Sequence, residues 1–137
     1  MHLLDTNIVS ELRKRRPHGA VAAWFRFHRL PELFLPSIAL YGMQGGVEIA
    51  RKQNPKKADE ISRWIDQIAN EIQVLPLDAF SARLAAKFIH GKTPQLTGDA
   101  MIAAITVTHR LVVATRNTKE FNNFPVAQID PFQFKEL

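Results

Sequence analysis

The fold class is first indicated by the N-terminal stretch Met1-His2-Leu3-Leu4-Asp5-Thr6-Asn7. Its two leucines form a short apolar run that predicts a buried strand. Asp5 stands at the carboxyl end of that strand, where open α/β sheets bind their ligands. Thr6 and Asn7 are short polar residues that can hydrogen-bond this carboxylate or begin the next helix. Asp5 is therefore either a metal ligand presented by a strand or the N-cap of a helix, and these residues alone leave both open.

The composition indicates a folded globular chain. Its 137 residues suffice for one domain with a sizeable core, so we expect a single domain over residues 1–137. Hydrophobic residues make up 46% and charged residues 23%. No apolar run approaches the roughly 20 residues of a membrane span, and no secretion signal is visible, so we expect a cytoplasmic location. Cysteine is absent, which excludes disulfides, thiolate zinc sites and cysteine nucleophiles.

The charge balance favours a polyanionic partner. Lysine and arginine total 18 against 13 aspartates and glutamates, a formal net charge of +5. A small basic domain attracts nucleic acid, although a basic surface kept for solubility is the alternative. The cluster Arg13-Lys14-Arg15-Arg16 follows Asp5 by two to three helical turns and could hold a phosphate backbone near it. Such runs are otherwise solvated surface.

Strand and helix patterns alternate along the chain. Predicted strands after the first cover 33–35, 72–75, 111–114 and 126–129, the last at a sheet edge. Predicted helices cover 6–14, 20–28, 37–52, 55–70, 78–90 and 97–109, with Asp78 as the N-cap of the fifth. This alternation predicts a mainly parallel sheet covered by helices.

A second acidic position is Asp99, in the segment Thr97-Gly98-Asp99. Thr97 is a natural N-cap, which would place Asp99 in the first turn of its helix. There the helix dipole favours the ionised form, which is the form that binds a metal. Asp99 is otherwise an ordinary first-turn residue that supports the dipole.

Polar residues gather a third time after the strand predicted over 111–114, in Thr115-Arg116-Asn117 and Glu120. The ends of parallel strands meet at one edge of a sheet, so these residues could converge with Asp5 and Asp99. Hard oxygen ligands in such an arrangement suit Mg²⁺ or Mn²⁺, which neutralise a phosphate and activate a water.

Taken together, these motifs resemble the VapC family of PIN-domain toxins over nearly the whole chain. The matching residues are Leu3-Leu4-Asp5-Thr6-Asn7, Ser10-Glu11-Leu12, Trp24, Leu35-Pro36-Ser37, Gly46-Val47-Glu48, Asp99-Ala100-Met101-Ile102-Ala103-Ala104 and Thr115-Arg116-Asn117 with Phe121. The resemblance implies a PIN-domain-like three-layer α/β/α sandwich. It implies the toxin of a type II toxin–antitoxin pair, a Mg²⁺- or Mn²⁺-dependent endoribonuclease that cuts tRNA or ribosomal RNA loops. A cognate VapB-type antitoxin would inhibit it, and members usually form homodimers.

One position departs from the family pattern. The resemblance aligns the family's catalytic glutamate with position 42, where this chain has Gly42 inside a predicted helix. Glycine there costs about 1 kcal/mol relative to alanine. Glu48 cannot substitute, because six residues correspond to roughly 240° around a helix. We therefore expect reduced or absent activity in this chain.

The resemblance also implies roles for the remaining residues. Asp5, Asp99 and Asn117 would be catalytic together with the position of Gly42. Asp5 and Asp99 would hold the metal, with Glu120 adding charge through a water or lying on the surface. Supporting residues would orient these ligands (Thr6, Asn7 and Thr115), and basic residues would hold RNA phosphates (Arg13, Lys14, Arg15, Arg16 and Arg116).

Two other functional hypotheses are compatible with some of the same residues. A basic α/β module could bind RNA or an antitoxin without cutting, and Gly42 is compatible with that. A receiver-like domain also clusters aspartates at strand ends, but it requires a phosphoacceptor Asp at the end of a central strand and a Lys on a later one. The strand ends of this chain carry Pro36, Leu75-Pro76 and Thr115 instead. The five histidines lack paired zinc spacing and are expected at the surface or at helix ends. Phe132 and Phe134 have no assigned role, beyond packing on the sheet edge or touching a partner.

Overall fold

The protein is built on a five-stranded parallel sheet. The structure, a computed structural model, describes residues 1–136, so the last residue of the predicted domain lies outside it. The strands are β1 (His2–Leu4), β2 (Leu33–Pro36), β3 (Gln73–Leu75), β4 (Val112–Ala114) and β5 (Gln128–Ile129). Their order is β3-β2-β1-β4-β5 and every neighbouring pair is parallel. The predicted parallel sheet is confirmed, with β5 at an edge.

Seven helices connect and cover the strands within the described residues. They are α1 (Thr6–Arg13), α2 (Gly19–Phe27), α3 (Ser37–Gln53), α4 (Pro55–Glu71), α5 (Ala79–Ile89), α6 (Thr97–Thr108) and α7 (Thr118–Phe121). Short 3-10 turns occur at Leu30–Glu32, Pro94–Leu96 and Pro131–Gln133. The six predicted helices are present to within one or two residues at each end, whereas α7 and the 3-10 turns were not predicted. No helix in the described part of the chain is long and apolar enough to span a membrane.

The two faces of the sheet carry separate apolar cores. Leu3 and Leu4 are both fully buried but belong to different clusters, because successive strand residues point to opposite faces. Leu4 packs with residues of α1 to α4, including Trp24 and Val47. Leu3 packs with residues of α6 and α7, including Ile105 and Phe121. These layers confirm the expected α/β/α sandwich.

The register of the central strands sets the positions of the polar residues. Leu4 of β1 lies opposite Ala114 of β4. The next residues along each strand are Asp5 and Thr115, and the backbone N–H of Asp5 donates to the carbonyl of Ala114 at 2.9 Å. The sequence-distant motifs therefore meet at the carboxyl edge of the sheet.

Local contacts correct the prediction for Thr97. The 3-10 turn at Pro94–Leu96 runs directly into α6, so Thr97 has helical φ and ψ of −58° and −47° and Leu96 holds the N-cap position. The hydroxyl of Thr97 donates to the carbonyl of Pro94 at 2.7 Å instead of capping the helix. Asp99 still falls in the first turn of α6, as expected.

The expectation for the histidines also needs correction. His2 lies within β1, half-buried, and its ring packs edge-on against Trp24 at 5.3 Å and His28 at 4.8 Å between centroids. His18, His28, His90 and His109 do lie at helix ends, as expected. The N-cap predicted at Asp78 is confirmed, because its Oδ1 accepts from the N–H of Ser81 at 2.7 Å.

Candidate active site

An open pocket of about 970 Å³ lies at the carboxyl ends of β1 and β4. We call it the acidic pocket, because Asp5 and Asp99 both line it. Other predicted site residues that line it are Thr6, Asn7, Lys14, Arg116 and Asn117. The convergence expected of three separate motifs is therefore observed.

Asp5 is held by three hydrogen bonds and is only 4% exposed. Its Oδ1 accepts from the backbone N–H of Thr6 at 2.7 Å, and its Oδ2 accepts from Thr115 Oγ1 at 2.7 Å and from Asn7 Nδ2 at 3.2 Å. The two roles open to Asp5 are thus compatible, since it caps α1 and also lines the pocket. Burial raises the pKa of this carboxyl, and the three donors partly offset that rise.

The residues expected to orient Asp5 do contact it. Thr6 acts through its backbone N–H, whereas Asn7 and Thr115 use their side chains. Thr115 Oγ1 also accepts from the N–H of Asn117 at 2.9 Å, and Asn7 Oδ1 accepts from the N–H of Arg116 at 3.3 Å. One hydrogen-bond network therefore fixes the carboxylate, the loop after β4 and the start of α1 together.

The ionised form of Asp99 is disfavoured by burial and by neighbouring negative charges. Burial, followed by the negative charges of Asp5 and Glu120, raises the pKa of Asp99 to about 6. Two carboxylates that repel each other across a pocket are stabilised when a cation is placed between them. Glu120 contributes to this field from α7, although it is not among the residues that line the acidic pocket.

Gly42 lies beside this pocket on α3. It lines a narrower cleft of about 240 Å³ with Thr6 and Ser10, and these two residues also line the acidic pocket. Ile38, one helical turn before Gly42, lines the acidic pocket as well. A Cβ built at Gly42 would meet no atom within 4 Å, so the position has room for a side chain. Glu48 shares with Gly42 the groove between α3 and α4, but it lines neither the acidic pocket nor the cleft with Thr6 and Ser10, and its Oε1 lies 4.0 Å from Arg51 Nε.

The donor set suits a hard divalent cation but is incomplete. Carboxylate oxygens are the preferred ligands of Mg²⁺ and Mn²⁺, and Asp5 and Asp99 supply them. Within residues 1–136, no group of three histidine, cysteine, aspartate or glutamate side chains is arranged to hold a metal. Glu120 therefore does not close a three-carboxylate cluster, and its action through a water stays a prediction. The two carboxylates suit a divalent cation in kind, but they form only part of a ligand set.

The predicted RNA-binding residues do not all lie at the acidic pocket. Arg116 lines the acidic pocket, and so does Lys14, whose Nζ lies 2.7 Å from Glu11 Oε2. Arg13 lines the narrower cleft beside Gly42, and Arg15 and Arg16 are exposed beyond both. Only part of the predicted phosphate-binding cluster is thus at the pocket itself.

Phe132 is one of several pocket residues that the sequence did not assign to a site; the others include Ser10, Glu11, Ile38, Tyr41 and Met101. Phe132 lies in the 3-10 turn near the C-terminus, and its ring lines the acidic pocket beneath Arg116. Nothing in the local sequence marks it, because the contact depends on where the chain leaves β5. The sequence signal was limited to two unassigned aromatic residues in a short tail.

Comparisons with known proteins agree with this geometry. The family model described as "PIN domain" matches residues 2–126. Toxin FitB of Neisseria gonorrhoeae is 31% identical over 140 residues, which cover 96% of this chain and 99% of that protein. VapC ribonuclease Y4jK of Sinorhizobium fredii is 31% identical over 139 residues, covering 97% and 99%. The crystal structure of FitAcB from Neisseria gonorrhoeae has a TM-score of 0.86 at 32% identity, covering 98% of this chain and 100% of that chain. The chain therefore belongs to the PIN-domain family, among its VapC-like toxins.

Proposed function

We propose that this chain is the toxin of a type II toxin–antitoxin pair, with the site of a metal-dependent endoribonuclease that lacks one acidic ligand. The observation that carries the proposal is the pairing of Asp5 and Asp99 in one open pocket beside an unfilled helical position, Gly42. We expect the substrate to be a structured RNA, such as a tRNA or ribosomal RNA loop, because exposed bases in loops are what selective RNA-binding proteins read.

The residues of the pocket have different proposed roles. Asp5 and Asp99 would hold Mg²⁺ or Mn²⁺, which would neutralise a phosphate and lower the pKa of a water that attacks it. Thr115 and Asn7 keep Asp5 Oδ2 in a fixed orientation by donating to it. Asn117 offers a neutral amide at the pocket wall. Arg116 and Lys14 supply positive charge for the RNA backbone, and this contact weakens as salt rises.

Gly42 accounts for the expected loss of activity. A site with two carboxylates binds Mg²⁺ weakly, and the glutamate that the VapC resemblance places at position 42 would supply the third. The first atom of such a side chain meets no neighbour, since a Cβ added at Gly42 has nothing within 4 Å. We therefore propose that Gly42→Glu restores cleavage without a rearrangement of α3.

The test is cleavage of a total tRNA and ribosomal RNA pool, with Mg²⁺ or Mn²⁺ compared with EDTA. Three proteins are compared: this chain, Gly42→Glu, and Gly42→Glu/Asp5→Ala. Discrete metal-dependent cuts by Gly42→Glu alone are the expected result. The matched control is Gly45→Glu, because Gly45 is also an exposed helical glycine with open space around it but does not line the cleft next to Thr6 and Ser10. The Gly45→Glu variant should not cleave RNA.

The second candidate function is a binding module that does not cut. The same Gly42 favours it, because residues 1–136 contain no group of three acidic or histidine side chains arranged to hold a metal. Silence from every variant, with RNA or antitoxin still bound, would support this candidate over the ribonuclease.

We also propose that a VapB-type antitoxin is the partner, that the toxin forms a homodimer, and that it acts in the cytoplasm. The groove between α3 and α4 offers apolar surface for such contacts, because Tyr41 is 79% and Ile49 is 68% exposed.

A further inference from the structure

Phe132 and Arg116 form a stacked pair at the rim of the acidic pocket. The guanidinium carbon of Arg116 lies 4.3 Å from the centroid of the Phe132 ring. The 3-10 turn that carries the ring is anchored, because the backbone N–H of Phe132 donates to Asp130 Oδ1 at 2.9 Å and Pro131 is buried. The His18 ring packs 5.0 Å away. The Phe132 ring is therefore carried by an anchored turn and packs against a neighbouring ring.

Three carboxylates line this pocket with Arg116, and one of them, Glu11, is already paired with Lys14 at 2.7 Å. Asp5 and Asp99 line the same pocket, yet no ion pair within 4.0 Å joins them to Arg116 in the described residues. The guanidinium of Arg116 is exposed and its face is occupied by the ring. An arginine stacked on an aromatic face keeps its in-plane N–H groups free for a second partner.

We propose that Phe132 is a positioning residue that holds Arg116 away from Asp5 and Asp99 and presents its N–H groups to a phosphate of the RNA. The inference rests on the proposed function for the identity of this polyanion. Planar N–H groups match the oxygens of a phosphate and can bind two of them together. Phe132 itself acts only through Arg116 and contacts no reacting atom.

The consequence of losing the ring follows from charge. A free guanidinium beside two carboxylates turns toward them, because opposite charges in a partly buried site attract strongly. That pairing would withdraw Arg116 from the RNA and would neutralise the carboxylates. Phe132 thereby keeps the guanidinium of Arg116 apart from the carboxylates of Asp5 and Asp99 in the RNA-free protein.

The test is binding of a fluorescein-labelled twelve-nucleotide oligouridylate, followed by anisotropy in EDTA over a range of salt concentrations. EDTA prevents metal-dependent cleavage, so the result does not depend on whether Gly42→Glu restores activity. Phe132→Leu should weaken binding about three- to tenfold, and Arg116→Gln should weaken it at least as much. For one lost phosphate contact, the slope of log K against log salt should fall by about 0.7 in each variant.

The double variant separates positioning from direct contact. Phe132→Leu should have no further effect in an Arg116→Gln background, whereas Phe132→Tyr should bind like the unmodified chain because it keeps the ring. Phe134→Leu is the matched control for the tail, since Phe134 packs on Phe27 at 5.7 Å rather than on Arg116. Arg83→Gln is the matched charge control, because Arg83 is exposed on α5 and does not line the acidic pocket.

Three results would overturn the proposal. These are unchanged binding by Phe132→Leu, effects of Phe132→Leu and Arg116→Gln that add in full, and no binding by the unmodified chain. Full addition would mean that the ring contacts a base directly. If Phe132→Leu does not fold, Arg116→Lys replaces it, since lysine keeps the charge but loses the planar face. This variant should also weaken binding, and unchanged binding by it would overturn the proposal as well.

Discussion

Thr115 and Asp5 stand 110 residues apart in the sequence, and their side chains are joined by a buried hydrogen bond of 2.7 Å from Thr115 Oγ1 to Asp5 Oδ2. Both residues follow the carboxyl ends of neighbouring parallel strands, β4 and β1. The same hydroxyl accepts from the N–H of Asn117, so one atom links the carboxylate to the loop that carries Arg116 and Asn117. The integrity of the candidate site depends on this hydroxyl.

Thr115→Val should therefore destabilise the protein by about 1–3 kcal/mol at constant side-chain volume, because Asp5 Oδ2 loses the shorter of its two hydrogen bonds and the backbone N–H of Asn117 loses its acceptor. Urea unfolding at neutral pH measures the change. Thr115→Ser keeps the hydroxyl and should lose much less. Equal stability of Thr115→Val and the unmodified chain would show that the hydrogen bond contributes nothing.

Asp99→Asn should make the metal-free protein more stable at pH 8. The pKa of Asp99 is raised to about 6 by burial and by the charges of Asp5 and Glu120, so its ionised form is less favourable in the folded than in the unfolded chain. This cost is present above about pH 6 and disappears as pH falls toward 4. Removing it should add about 1 kcal/mol after allowance for solvent screening.

The order should reverse in saturating Mn²⁺, because only the carboxylate binds the ion and gains stability from it. Thermal unfolding at pH 8 and pH 4, with EDTA or Mn²⁺, measures both effects. Asp66→Asn, which removes an exposed carboxylate of α4, is the matched control. It should change neither the stability of the metal-free protein nor the stabilisation by Mn²⁺. A metal-free Asp99→Asn protein that is less stable than the unmodified chain at pH 8 would contradict the raised pKa of Asp99.

His2 should make the stability of the protein depend on pH between about 6.5 and 4. Burial, with smaller contributions from the N-terminal charge and His28, lowers the pKa of His2 to about 4. The unfolded chain therefore takes up a proton first as pH falls, and stability is lost over this window. Its Nδ1 is also buried without a hydrogen-bond partner in the described residues.

His2→Phe removes both features and keeps a ring against Trp24. The free energy of unfolding of the unmodified chain should fall by roughly 1 kcal/mol relative to His2→Phe between pH 7 and pH 5, after discounting for partial exposure. Denaturant unfolding at the two pH values gives this difference. Parallel pH curves for the two proteins would contradict the assignment.

Sequence reasoning predicted the parts of the site that depend on local pattern. Asp5 follows an apolar strand, Asp99 falls in the first turn of a helix, and Thr115 follows a β-branched strand. Each position is set by its own few neighbours and by the rule that parallel strands share one carboxyl edge. The metal-ligand role of Asp5 and Asp99 stays a prediction, whereas both residues are observed to line one pocket and Thr115 donates a hydrogen bond to Asp5.

The remaining features depend on contacts that no local pattern records. Thr97 loses its predicted capping role because Pro94 starts a turn that continues into α6. His2 is half-buried because α2 carries Trp24 across β1. Phe132 reaches Arg116 only because the chain passes β5 and turns back toward the pocket. Tertiary packing decides all three.

The central claim is that Asp5 and Asp99 form a metal site that lacks a carboxylate at Gly42. Calorimetric titration with Mn²⁺ tests it without any assumption about RNA. Gly42→Glu should bind Mn²⁺ at least tenfold more tightly than the unmodified chain, which corresponds to about 1.4 kcal/mol. Gly42→Ala and Gly42→Gln are the controls for helix propensity and side-chain size and should leave the affinity near that of the unmodified chain, and Asp99→Asn should remove the gain. Equal affinity of Gly42→Glu and Gly42→Gln for Mn²⁺ would contradict the account.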